Sequence, residues 1–237
     1  MSREQNIKAS IKQVLREYAE ALAIAIFLAL ILRTFVLSAY KVPTSSMIPS
    51  LKVGDYIFAF KLPYGINNPF GQKKWGAKLP LRGDVVVFRC PQNPDQSCVK
   101  RVVGLPGDRV EIIKKRLRVN GELAEYKRLD PKIIRDVPGN EYYVALSESL
   151  SGHSRPILIG ENHEKASFGP LIVPPNHFFV LGDNRDSSDD SRFWGSIPVE
   201  SIEGRAAFIW MSLRWSSASQ RESFPQVRWE RLFKRLN

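Results

Sequence analysis

The chain has 237 residues, a formal net charge of +11 at pH 7, and sixteen prolines and fifteen glycines scattered among short Val/Ile/Phe runs. This composition favours strands and turns over long helices, and the length suits one large domain or one domain with an insertion. No nucleic-acid-binding motif accompanies the excess positive charge, so the charge is explained either by a basic domain close to anionic lipid or by general surface charge.

The first predicted element is a membrane anchor over residues 18–39. Residues 21–32 carry no polar side chain, and after Arg33 the apolar run continues to Ala39. Roughly 20 helical residues span the hydrocarbon core of a bilayer.

The alternatives to a membrane anchor are a cleaved secretory signal and a buried core helix. Leu37 fits poorly at the −3 position of a cleavage site ending at Ala39, and no comparable helical pattern follows. The basic flank predicts that the tail, residues 1–17, is cytoplasmic.

A stretch of three consecutive hydroxyl residues lies between two prolines just after this segment, within residues 43–50. Gly-Asp pairs at 54–55, 83–84 and 107–108 are each followed by an apolar, β-prone run. Glycine readily adopts positive φ and aspartate caps its own backbone, so each pair predicts a turn that leads into a strand. We therefore expect a mostly β domain formed by residues 40–113 and 173–237.

Residues 114–172 are more polar and irregular, and we expect them to form an insertion or a smaller second lobe. Beyond the last apolar run, the tail carries Trp215, Phe224, Trp229 and Phe233 among basic residues. Such a mixture is typical of a membrane–water interface, although these aromatic side chains could equally pack beneath the sheet.

The sequence does not predict a metal or cofactor site. Its two cysteines, Cys90 and Cys98, and its scattered histidines at 153, 163 and 177 lack the spacing of a zinc site. The acidic cluster 183–190 lacks the glycine and the final glutamate of a calcium loop. The two cysteines flank a short polar loop and either form a disulfide or remain free thiols.

The candidate chemistry begins with a serine that needs a base. Candidate reactive groups lie in three segments, 44–47, 99–103 and 182–195, and none of them contains a histidine, so a lysine is the better candidate for a base if burial lowers its pKa. Lys100 stands in an apolar run, and strand alternation would send Lys100 and Arg101 to opposite faces, one to the site and one to solvent or an acidic partner. Interleaved Asp and Arg residues at 183, 185, 190 and 192 predict an ion-paired loop that holds a serine against the lysine.

Together these segments resemble the motifs of the bacterial type I signal peptidase (leader peptidase) family. The most specific are KRVVGLPGD at 100–108 and GDNRD at 182–186, and the match also covers the anchor and residues 43–51, 54–60, 82–108, 182–198 and 204–211. The resemblance implies a large antiparallel β catalytic domain. It also implies a membrane-bound serine endopeptidase that removes N-terminal signal peptides from exported preproteins.

The resemblance further implies roles for individual residues. Ser46 would be the nucleophile and Lys100 the general base, with Ser188 hydrogen-bonding and orienting the lysine. Asp190 and Arg192 would support that loop.

The same resemblance assigns the oxyanion and the substrate pocket. The Ser46 N–H and the Thr44 hydroxyl would bind the oxyanion. Val42, Leu51 and Val99 would line a shallow pocket that accepts small residues at the −1 and −3 positions, as in A-x-A sites.

The expected partners are exported preproteins and membrane lipid, with no nucleic acid, metal or cofactor. The expected location is the inner (cytoplasmic) membrane, single-pass, with the catalytic domain on the outer or periplasmic side. Two rival functions are an inactive, membrane-tethered binding factor and a self-cleaving repressor-type Ser/Lys peptidase. The presence of Ser46, Lys100 and Ser188 argues against the first, and the anchor and the absence of a helix-turn-helix pattern argue against the second.

Overall fold

The computed structural model describes residues 2–65, 74, 76, 78–160, 167–214 and 225–236, with side chains from residue 12 onward. In this part of the chain, a long helix precedes a globule of antiparallel strands, which confirms the mostly β prediction. The helices are α1 (Ser2–Ile31) and α2 (Ser191–Trp194). The strands are β1 (Leu37–Lys41), β2 (Asp55–Phe60), β3 (Val85–Arg89), β4 (Ser97–Gly104), β5 (Arg109–Ile113), β6 (Arg116–Val119), β7 (Glu122–Leu123), β8 (Glu125–Arg128), β9 (Tyr143–Leu150), β10 (His153–Gly160), β11 (Phe168–Ile172), β12 (His177–Leu181), β13 (Ile197–Pro198), β14 (Ile202–Arg214) and β15 (Gln226–Val227).

Helix α1 continues through one π-helical turn, Leu32–Val36, and leads directly into β1. The segment Lys12–Val36 has a mean hydropathy of 2.2 in its apolar window, and none of that window is buried against the rest of the protein. It is long and apolar enough to cross a membrane. Residues 37–39, which the predicted anchor included, lie in β1 instead, because Leu37 pairs with Phe60 in β2.

The main sheet has the order β1-β2-β14-β3-β4-β12-β13, with β15 paired to β14. The Gly-Asp turns lead into β2, β3 and β5 as predicted, and their glycines have φ of 86°, 94° and 86°. Apolar side chains form separate buried clusters against this sheet, one around Leu51 and Ile209 and another around Phe88 and Phe178. The sheet thereby provides rigid strands on which a site can be built.

Two smaller sheets follow β4, with the orders β10-β9-β8 and β11-β5-β6-β7. We call these two sheets and their connections, residues 109–160 and 167–172, the second lobe. The insertion was predicted to begin at residue 114, a boundary that falls inside the β5–β6 hairpin, where Ile113 pairs with Arg116.

The C-terminal segment exposes its described aromatic residues. Trp229 is 72% and Phe233 is 73% exposed, so these two side chains do not pack beneath the sheet. His163, Trp215 and Phe224 lie outside the described residues.

Candidate active site

Ser46 lies at the start of a turn that follows β1. The turn is closed by a hydrogen bond from Leu51 N to Met47 O of 2.9 Å, and its base is fixed by Val42 N donating to Asp55 O at 2.8 Å. The Ser46 carbonyl accepts from Asn184 N at 3.0 Å. Ser46 is buried, with only 7% of its surface exposed.

Lys100 reaches this serine from β4. Lys100 Nζ and Ser46 Oγ are 2.6 Å apart in a buried hydrogen bond, although the two residues are 54 positions apart in sequence. Burial lowers the pKa of Lys100 to about 8, while Asp190, Asp189 and Asp183 act in the opposite direction. A neutral amine that can accept a proton is therefore available near neutral pH.

Arg101, the next residue of β4, points to an acidic partner, one of the two destinations predicted for it. Its guanidinium donates to both carboxylate oxygens of Asp183 at 2.9 and 2.8 Å, and both residues are almost fully buried. This bidentate pair ties β4 to the loop after β12, where the remaining polar groups lie.

Asp190 organises that loop. Its carboxylate accepts from Gly182 N, Ser188 Oγ and Arg192 Nη2, each at 2.9 Å. Burial alone would raise the pKa of Asp190, but the charge and hydrogen bonds of Arg192, with those of Gly182 and Ser188, hold it below its ordinary value. Asp190 and Arg192 thus buttress the loop from within.

Ser188 differs from its expected contact. It was predicted to hydrogen-bond Lys100, but its hydroxyl donates to Asp190, and no hydrogen bond to Lys100 occurs among the described residues. The carboxylate is the stronger acceptor for this hydroxyl, while Lys100 is engaged with Ser46.

Thr44 lies beside Ser46 and is exposed. Its Oγ1 is 3.3 Å from Ser46 Oγ. Within the described part of the chain, the Ser46 N–H makes no hydrogen bond. Both donors are therefore available to a negatively charged oxygen that forms next to Ser46.

A cleft of about 340 Å³ opens over Ser46 and Lys100. It is lined by Val42 and Val99, two of the three residues predicted for the substrate pocket, together with Met47 and Trp194. Leu51 does not line this cleft. It is fully buried and packs with Ile57 and Ile209, because the turn that carries Ser46 folds it back into the core.

One wall of the cleft is an open strand edge. β4 pairs with β3 from Ser97 onward, but β12 joins its other side only from Arg101. No described strand covers residues 97–99 on that side. A disulfide between Cys90 and Cys98 closes the loop that leads into β4. Of the two alternatives that the sequence left open, a disulfide and two free thiols, the structure has the disulfide.

Sequence reasoning missed Met47 and Trp194 in the cleft and the Arg101–Asp183 pair. The interleaved Asp and Arg residues were a signal for ion pairing, but only Asp190 and Arg192 pair with each other. Asp183 and Arg185 find their partners in distant segments. Among the described residues, no group of three His, Cys, Asp or Glu side chains is placed to hold a metal ion.

Comparisons of this chain with a family model and with individual known proteins point to the same family. The model of the family described as signal peptidase, peptidase S26, matches residues 15–211. Signal peptidase I of Pseudomonas aeruginosa is 37% identical, with 93% of this chain and 81% of that protein covered. Signal peptidase I of Aquifex aeolicus is 31% identical, with 89% and 90% covered. A solved structure of a signal peptidase I from Enterococcus faecalis V583 is 32% identical, covers 54% of this chain and 97% of its own, and has a TM-score of 0.33.

Proposed function

The chain belongs to the signal peptidase I family of S26 peptidases, and on that premise we propose that Ser46 and Lys100 are the nucleophile and general base with which it removes signal peptides from exported preproteins. The observation that carries the proposal is the 2.6 Å contact between Ser46 Oγ and Lys100 Nζ, two buried groups from distant segments. A lysine with a pKa of about 8 is suited to take a proton from a serine hydroxyl.

The reaction follows from these positions. Neutral Lys100 accepts the Ser46 proton as Oγ attacks the scissile carbonyl, and the resulting oxyanion is bound by the Ser46 N–H and the Thr44 hydroxyl. The C–N bond then breaks, and Lys100 returns the proton to the leaving amine, which gives an acyl-serine and the mature N-terminus. Water attacks the ester carbonyl with Lys100 again as the base, the bond to Ser46 Oγ breaks as Lys100 returns the proton to it, and the signal peptide leaves with a new carboxylate.

Specificity for small residues is part of the proposal. An extended peptide can hydrogen-bond to the open edge of residues 97–99, which places alternate side chains towards the same wall of the cleft. Val42, Met47 and Val99 make that wall apolar. A shallow apolar surface accepts alanine at −1 and −3 and excludes larger side chains by overlap, which supports cleavage at A-x-A sites.

The apolar helix and the membership in this family are both consistent with a membrane-anchored protein. We place residues 1–17 in the cytoplasm and the β domain on the outer side of the cytoplasmic membrane. The Cys90–Cys98 disulfide supports this orientation, since disulfides persist in oxidising compartments such as the bacterial periplasm.

The test is cleavage of a purified preprotein in detergent, with the new N-terminus identified by mass spectrometry. We expect one cut after an A-x-A site in the wild-type reaction, and loss of that cut when the −1 alanine of the substrate is replaced by phenylalanine. Replacing the −2 residue by phenylalanine is the matched control and should leave the cut in place. Cleavage at scattered positions, or equal cleavage of both substrate variants, would contradict the proposed specificity.

A further inference from the structure

The second lobe contacts both catalytic segments. Leu158 in β10 donates its N–H to Asp183 O at 2.8 Å, and Gly160 N donates to the Asp186 carboxylate. Ile48, two residues after Ser46, packs against Leu158 and other apolar residues of the lobe. The lobe therefore supports the turn that carries Ser46 and the loop that follows β12.

Glu148 of β9 lies at the centre of this contact and is completely buried. Its carboxylate accepts from Arg155 Nε at 2.9 Å, Arg185 Nη2 at 2.6 Å and the Tyr126 hydroxyl at 2.8 Å. Burial opposes its ionisation, yet Arg185 and Arg155 hold the pKa of Glu148 at about 2. The carboxylate is therefore ionised at any pH at which the enzyme would work.

Arg185 connects this carboxylate to the catalytic loop. Its Nε donates to Gly182 O at 3.2 Å, and its own carbonyl accepts from Arg192 Nη2 at 2.5 Å. Gly182 donates in turn to Asp190. Gly182 also lies close to Ser188, since a Cβ at this glycine would come within 2.2 Å of the Ser188 hydroxyl. A Cβ at Gly182 would also lie 2.6 Å from Ser46 O, so a shift of Arg185 that moves Gly182 would disturb the position of Ser46.

We infer that Glu148 is a positioning residue: through Arg185 it fixes the loop of residues 182–190, which contacts Ser46 through Asn184 and the strand of Lys100 through the Arg101–Asp183 pair, and the second lobe thereby supports catalysis. The inference rests on the proposed function for its activity readout only. A purely structural role would require Glu148 only to balance two buried guanidinium groups, and the two roles predict different kinetics.

The first experiment replaces the carboxylate by an amide of the same shape, Glu148→Gln, in the full-length protein in detergent. Arg185 would lose its charged acceptor, and the loop would shift relative to Lys100. We expect kcat for a preprotein to fall about 100-fold, because small misplacements of catalytic groups have effects of this size, with KM within about twofold of wild type because the apolar wall of Val42, Met47 and Val99 lies outside this loop. Glu125→Gln is the matched control, since Glu125 lies in the neighbouring strand β8 and is exposed.

The second readout does not depend on cleavage. The side chain of Lys100 is followed by NMR during a pH titration of protein with isotope-labelled lysine, with Lys100→Arg used to assign the signal. If the loop loosens in Glu148→Gln, water reaches the amine, and the pKa of Lys100 should rise from its wild-type value towards that of an ordinary lysine. If Glu148→Gln does not fold, Arg185→Lys provides the same two readouts, because it keeps the positive charge but lacks the second donor, Nε, that binds Gly182.

The outcomes distinguish the positioning role of Glu148 from the proposed peptidase function. A lower kcat with an unchanged KM and a shifted Lys100 titration supports the inference. Kinetics and titration equal to those of Glu125→Gln overturn it, as does a variant that merely melts at lower temperature while its Lys100 titrates as in wild type. If wild type does not cleave preproteins, the proposed function fails, and the Lys100 titration alone decides whether Glu148 positions the loop.

Discussion

Lys100 differs from the other lysines of lowered pKa both in its burial, since it is only 5% exposed, and in its partner. Burial also lowers the pKa of Lys61, Lys74 and Lys234. Lys61, however, donates to the main-chain carbonyls of Arg33 and Thr34. Lys100 meets a serine hydroxyl, which can give up a proton. A lowered pKa therefore indicates a catalytic base only when the lysine also contacts a group that it can deprotonate.

The first prediction is a pH dependence set by Lys100. Its folded-state pKa is lowered to about 8, so the neutral base predominates above that pH and is lost as pH falls. At pH 5, three units below this pKa, the neutral fraction of Lys100 is about 1,000-fold smaller than at a pH well above it, and kcat/KM should fall in proportion. The measurement is a pH–rate profile with a soluble peptide substrate, accompanied by a folding probe at each pH. Full activity at pH 5 would exclude Lys100 as the base.

The second prediction concerns the oxyanion. Thr44→Val keeps the shape of the side chain but removes the hydroxyl 3.3 Å from Ser46 Oγ, and kcat should fall about 100-fold with little change in KM. Thr44→Ser restores a donor and should keep most of the activity. Steady-state kinetics of the two variants decide the point, and an unchanged kcat in Thr44→Val would remove Thr44 from the mechanism.

At the level of elements, the turn that carries Ser46 is fixed from two sides through Ser50. The Ser50 hydroxyl accepts from Arg101 Nη2 at 3.2 Å, and its carbonyl accepts from Arg231 Nη2 at 3.0 Å. Arg231 also pairs with the buried carboxylate of Asp55 at the start of β2. The C-terminal segment thus holds the turn that carries Ser46 against the main sheet.

The third prediction tests the contribution of Arg231 to stability. Arg231→Gln leaves Asp55 buried without its main ionic partner, so the free energy of unfolding should fall by about 3–5 kcal/mol. Arg214→Gln is the control, because the Arg214 side chain is 47% exposed and its pair with Asp136 should contribute only about 0–1 kcal/mol. Urea unfolding followed by tryptophan fluorescence measures both. Equal losses in the two variants would show that the Arg231 pair has no special structural role.

For the whole molecule, local signals predicted the strands, whereas contacts between distant segments could be predicted only where the family resemblance supplied them, as for Ser46 and Lys100. The Gly-Asp turns and the apolar run around Lys100 depend on neighbouring residues, and the structure has the strands that they indicate. The pairing of Arg185 with Glu148 spans 37 positions and requires the path of the second lobe, which no local pattern encodes. The burial of Leu51 away from the cleft has a related cause, because the family motif gives its position in sequence but not the direction in which the turn folds it.

The fourth prediction concerns the anchor. Because the apolar helix is not buried against the β domain, a fragment of residues 37–237 should keep the melting temperature of the full chain. It should cleave a soluble peptide at the wild-type rate but cleave a membrane-inserted preprotein about 100-fold more slowly, since the shared membrane raises the effective substrate concentration. Rates are compared in vesicles with both substrates. An equal loss with both would show that the helix supports the fold rather than the encounter.

Preprotein cleavage by Ser46→Ala and by Ser45→Ala decides whether the Ser46–Lys100 mechanism operates. Ser45 is an exposed serine one residue away, so its replacement serves as the matched control. With both variants purified in detergent and shown to be folded, Ser46→Ala should produce no mature protein, while Ser45→Ala should cleave at nearly the wild-type rate. Cleavage by Ser46→Ala at the same site and at a comparable rate would contradict the Ser46–Lys100 mechanism.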